Sequence, residues 1–156
     1  MPRLLMTLFI SLLFSHVVHG NNETVPVDYL LQQKEAPEGV VFEIVSDEDD
    51  LLEQLLPDIK HAITKLRKKF PELPIAIVTH GKEQFALTTN NSSSQTHSLV
   101  KALVVDEVEV HVCGTHASWY GIRPEDFPDY VDVSTTAPSQ LNDYEEMGYE
   151  LIVLTE

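Results

Sequence analysis

The chain has 156 residues, 25 of them acidic against 10 basic, and a formal charge of −15 at neutral pH. That balance argues against a nucleic-acid partner, whose phosphates need clustered Lys and Arg, and against binding to anionic membrane surfaces. One cysteine, Cys113, excludes an internal disulfide framework and leaves a free thiol or one arm of an intermolecular bridge.

Residues 1–20, MPRLLMTLFISLLFSHVVHG, have a basic start at Arg3 and an apolar run from Leu4 to Phe14. This is the layout of a secretory signal peptide, expected to be cleaved after Gly20 and to send the protein to the periplasm or outside the cell. The run falls short of the ~20 apolar residues of a membrane-spanning helix, so no membrane association is expected after cleavage. Residues 21–38 show no sustained period, contain two prolines and are expected to be an extended leader. The length that remains, 39–156, fits one domain.

From Gly39 onward, strands and helices alternate. VVFEIV (Val40 to Val45) is β-branched and reads as a strand. The following stretch predicts a helix capped by Ser46 or Asp47, acidic in its first turn and basic in its last at Lys65, Arg67, Lys68 and Lys69. Leu51, Leu52, Leu55, Ile59, Ile63 and Leu66 recur at helical spacing as its buried face, and Pro57 predicts a kink or a break. LPIAIVTH (Leu73 to His80) is a continuous apolar run, as in a buried parallel strand. GKEQFALTTNNSSSQT reads as loop with at most one helical turn. A helix is expected over His97 to Val105 with Ser94 or Thr96 as cap, then a strand, VEVHVC, over Val108 to Cys113. A short helix over Thr115 to Tyr120, a strand at Val131 to Val133, a helix from Pro138 to Met147 closed by Gly148, and a strand over Tyr149 to Leu154 complete the pattern. Strands separated by helices predict an α/β fold with a mostly parallel sheet.

In open α/β sheets, ligands bind beyond the carboxyl ends of the strands. Cys113 falls at such an end, directly before Gly114 and Thr115 open a helix whose first amides favour a thiolate. Gly114 permits the sharp turn and leaves the sulfur uncrowded. An acyl-transfer cysteine would also need a base, for which His111 and His116 are the candidates. Period-two alternation puts Glu109, His111 and Cys113 on one face and Val108, Val110 and Val112 on the other. Glu109 and His111 then read either as a relay to the thiol or, the reading preferred here, as polar residues with a structural role. Three readings of Cys113 stay open on the residues alone: a reactive thiol, an inert core residue, and one ligand of a metal set with His80, His111 and His116. Trp119 and Tyr120 are expected to pack on the sheet or on a neighbouring subunit.

VEVHVCGTHASWYGIRPEDF and the APSQLNDYEEMGYELIVL segment resemble the DsrE/DsrF-like proteins of bacterial sulfur relay, and most of all their exported branch. The shared features are a Cys at a strand end, a short helix closing in Gly121-Ile122, and an upstream strand ending in His80-Gly81. The resemblance spans about residues 39 to 154 and implies a flavodoxin-like, DsrE-type three-layer sandwich with a five-stranded sheet. It implies that Cys113 carries a sulfane sulfur as a persulfide; from the residues themselves, His116 or His111 is expected to help tune the thiolate, and His80, Gly81, Gly114 and Thr115 are the candidates to line a ligand pocket. The resemblance further implies a homo-oligomer, trimer or hexamer, exchanging sulfur with donor and acceptor proteins and needing no cofactor. The relay members work in the cytoplasm, so an exported chain would lack their usual partners. A non-catalytic oligomer binding a metal or small ligand through its His/Cys corner is the alternative.

Overall fold

The computed structural model describes residues 26–91 and 94–155. The expected signal peptide lies outside the described residues. Among the described residues, no helix is long and apolar enough to cross a membrane.

Five strands, β1 (Gly39–Ile44), β2 (Ile75–Thr79), β3 (Val108–Cys113), β4 (Asp132–Ser134) and β5 (Tyr149–Leu154), form one sheet in the order β4-β3-β2-β1-β5. Every pairing in it is parallel. The helices are α1 (Val27–Gln32), α2 (Leu51–Lys69), α3 (Ser94–Val105), α4 (Gly114–Trp119) and α5 (Ala137–Glu146). They flank the sheet as a flavodoxin-like three-layer sandwich. Parallel pairing with helical crossovers buries both faces, which is why the inner strands read as apolar runs.

The two faces are unequal. On one, Val40, Phe42, Ile44, Ile75, Ile77, Val108, Val110 and Val112 meet Leu52, Leu56, Ile59, Ile63 and Leu66 of α2 and Val100 and Leu103 of α3. On the other, Val41, Ala76, Val78 and Cys113 are covered by Ala137, Leu141 and Tyr144 of α5. Glu109, His111 and Cys113 do share this second face, as period-two alternation requires.

Three expectations are corrected. Of the kink or break expected at Pro57, the break does not occur, and helix α2 runs on through it. The missing N–H weakens one turn, yet buried Leu56 and Ile59 on either side hold the helix against the sheet. Its first residue is Leu51, and the residue before it, Asp50, makes no capping bond. Ser46 is not the cap, because its hydroxyl accepts from the Glu48 amide at 2.9 Å in a local turn. The leader is not wholly extended: Val27–Gln32 forms α1 and inserts Leu30 into the core. Six residues are too few for a period to show, so only the tertiary contact reveals this helix.

Candidate functional site

Cys113 is the last residue of β3, paired with Ser134 of β4, and its side chain is 5% exposed. Its sulfur caps α4, accepting the His116 backbone N–H at 3.4 Å. Gly114 fits where a larger residue would press on the Ser134 carbonyl, since a Cβ there would lie 3.0 Å from it. Thr115 ties the same turn to the loop after β4, donating through its amide (3.1 Å) and hydroxyl (2.7 Å) to the Thr135 carbonyl.

Two residues that periodicity does not single out hold this corner in place. Both lie on a 3₁₀ helix, Lys82–Leu87, just after β2. Gln84 is completely buried; its Oε1 accepts from the Cys113 amide at 2.8 Å and its Nε2 lies 2.9 Å from His116 Nδ1. Glu83, beside it, is equally buried. Its Oε1 accepts from the Thr79 hydroxyl (2.6 Å) and the Gly81 amide (2.8 Å), and shares the His80 amide (3.1 Å) with the Ile44 carbonyl. Its Oε2 accepts from the Ser46 amide at 2.9 Å. A buried carboxylate is tolerable only when so surrounded by donors. Glu83 thus locks the loops after β1 and β2 together and sets Gln84 in place under Cys113. Gly81 is required here by close approach: a Cβ would meet the Ser46 carbonyl at 2.1 Å and Glu83 Oε2 at 2.2 Å.

The histidines are not gathered around the sulfur. His80 Nε2 lies 2.8 Å from Glu43 Oε1. His111 is 9% exposed, with Nε2 at 2.8 Å from the Tyr144 hydroxyl and Nδ1 at 3.1 Å from Ser134 Oγ. Tyr144 also donates to Glu109, and Ser134 donates to Gln140 Oε1 at 3.0 Å. Glu109 and His111 are therefore tied to α5, which favours their structural reading. Burial first, and then the bond to Glu109, holds the Tyr144 hydroxyl proton far above the ordinary tyrosine range. The metal set His80, His111, Cys113 and His116 is not assembled. Among the described residues, no three His, Cys, Asp or Glu side chains are grouped to hold an ion.

His116 instead belongs to an aromatic cluster. Phe85 stacks on it at 5.7 Å, while Trp119 and Tyr120 meet it edge-on at 5.4 and 5.2 Å. Trp119 is 74% exposed and Tyr120 about half, so of the two placements expected for them, on the sheet or on a neighbouring subunit, the first does not hold. They form the rim above the cysteine corner.

Fold and site together define a parallel α/β sandwich with a single buried thiol at the carboxyl end of a strand. No family model matches the chain, and no curated protein matches it. Solved structures do. A protein of unknown function from Methanobacterium thermoautotrophicum is 19% identical, with a TM-score of 0.61 over 74% of this chain and 97% of that one. A conserved protein of unknown function from Bacteroides thetaiotaomicron is 12% identical, with a TM-score of 0.53 over 75% of this chain and 95% of its own. The ychN protein of E. coli is 17% identical, with a TM-score of 0.53 over 76% and 99%. At such identities the likeness shows a common fold.

Proposed function

We propose that the chain is a sulfane-sulfur carrier, as the DsrE/DsrF resemblance implies, with Cys113 as the carrying residue and donor and acceptor proteins as its partners. The observation that supports this reading is the Cys113 sulfur accepting a backbone N–H while its own amide is fixed by a buried side chain. That contact holds the sulfur in one orientation at the strand end, and the thiolate is the form that attacks. In the step proposed, the Cys113 thiolate attacks the outer sulfur of a donor persulfide, R–S–SH. A new S–S bond forms, the donor S–S bond breaks, and the donor leaves as the thiolate R–S⁻, so that Cys113–S–SH is produced with no net oxidation. Burial of the sulfur shields the persulfide from bulk thiols and oxidants. If residues 1–20 act as a signal, this exchange takes place in the periplasm or outside the cell.

Exposure of the purified protein to inorganic polysulfide tests the reading by intact mass. The expected result is a gain of whole sulfur atoms on the wild type and none on Cys113→Ser. A wild type that stays at its original mass overturns it and leaves Cys113 as core packing.

A further inference from the structure

We infer that Gln84 is a positioning residue: it fixes the tautomer of His116 and so makes the corner beside Cys113 a site for an anionic sulfur species rather than for a metal cation. The choice of ligand rests on the carrier reading above; the tautomer does not.

The argument starts from a group whose role is unambiguous. The backbone N–H of Cys113 can only donate, so the Gln84 atom 2.8 Å from it is the amide oxygen. The other end of the Gln84 side chain is then its NH₂, which can only donate, and it faces His116 Nδ1 at 2.9 Å. Nδ1 must therefore offer its lone pair, and the proton of the neutral ring resides on Nε2. Gln84 is 0% exposed, so no water relaxes this requirement, and a ring bearing Nδ1–H would set donor against donor. The other groups around the ring do not compete for Nδ1. Phe85, Trp119 and Tyr120 present aromatic rings, and the titratable groups beside it are Cys113 and Tyr120.

Two consequences follow. A metal ion would need a ring lone pair; Nδ1 is occupied by Gln84, and freeing Nε2 would force the proton onto Nδ1 against the Gln84 NH₂. His116 also cannot take the Cys113 proton through Nδ1 without losing its bond to Gln84. With Nδ1 engaged by Gln84, the ring has its Nε2–H left to offer an acceptor, while the backbone N–H already reaches the sulfur. A hydrogen-bond donor suits a negatively charged acceptor, and a persulfide or polysulfide anion is one.

Ring ¹⁵N–¹H correlation spectra of the full chain at neutral pH test this, on the wild type and on Gln84→Glu. Glutamate is isosteric and can still accept from the Cys113 amide, but it has no N–H for Nδ1. The wild type is expected to carry its His116 proton on Nε2, and Gln84→Glu to move it to Nδ1. The variant should also load polysulfide sulfur onto Cys113 roughly tenfold more slowly, as one donor is lost and a carboxylate is brought near. A wild-type His116 with Nδ1–H, or a tautomer indifferent to the substitution, overturns the inference even if sulfur is taken up normally. The wild-type spectrum decides the tautomer without any variant having to fold. If the tautomer is as expected and no sulfur is taken up, the carrier reading and the choice of ligand fall, and Gln84 stands as the residue controlling His116.

Discussion

Glu83→Ala is expected to lower stability by about 4 kcal/mol, a large share of what a domain of this size commonly has. The carboxylate is 0% exposed and accepts from Ser46 in the loop after β1, from Thr79 at the end of β2, and from His80 and Gly81 in the loop that follows it. Alanine removes the common acceptor for all four and leaves a polar cavity between the two loops. Glu83→Gln separates shape from charge. Its amide oxygen can replace Oε1 and keep the three donors there, but its NH₂ must then face the Ser46 N–H, so a loss of about 2 kcal/mol is expected. Urea unfolding midpoints at constant slope check the order, with alanine below glutamine below wild type. Because Glu83 and Gln84 are adjacent, both variants should also disturb the Cys113 corner, whereas substitutions on the opposite rim of the sheet should not.

The second large effect is at Tyr144. It is fully buried and the largest member of the core cluster on the face that α5 covers, beside Val41, Ala76, Val78, Cys113 and Ala137. Tyr144→Ala empties that layer and is expected to cost about 3–5 kcal/mol. Tyr144→Phe keeps the ring and loses only the hydroxyl that His111 and Glu109 share, which should cost about 1–2 kcal/mol, mostly through buried His111. The phenol also carries a pH signature. Its folded-state proton affinity is raised, so its stabilisation is complete below the unfolded tyrosine value of about 10 and is lost as pH rises beyond it. Tyr149 shifts the same way, through burial and then the Glu109 charge. Thermal midpoints followed from about pH 8 to pH 11 should fall for the wild type and fall less for Tyr144→Phe. Tyr149 and Tyr130, the latter also raised by burial and then by the Asp129 charge, contribute to the remainder.

What was legible in the sequence follows from the range of the forces involved. Strands β3 and β5 coincide with their expected bounds, because a β-branched or apolar run between turn residues is a local signal. The end of α5 was legible for the same reason: Gly148 has φ +82, a conformation that glycine adopts without strain. Cys113 could be placed at a strand end and on one face with Glu109 and His111 by counting alone. Its fixtures could not. Gln84 lies 29 residues before Cys113 and 32 before His116, in a segment that reads as loop. Glu83 looks like a solvated acidic residue until the loops after β1 and β2 close over it. The destinations of the histidines were equally hidden: His80 turns to Glu43 and His111 to Tyr144, partners 37 and 33 residues away. The one cue for this corner was the His80-Gly81 strand end, since a glycine at such a point allows another backbone or side chain to approach closely.

The carrier reading requires that sulfur be held at Cys113 and also be released intact, and cyanolysis measures this most directly. Cyanide removes a sulfane sulfur as thiocyanate and restores the thiolate, whereas it removes no sulfur from a thioether or a sulfinic acid. Wild-type protein loaded with polysulfide and freed of excess reagent should yield about one thiocyanate per chain, return to its original mass and accept a second loading, while Cys113→Ser yields none. Loaded protein that releases no thiocyanate, or releases as much from Cys113→Ser as from wild type, would contradict the assignment of Cys113 as a sulfur carrier.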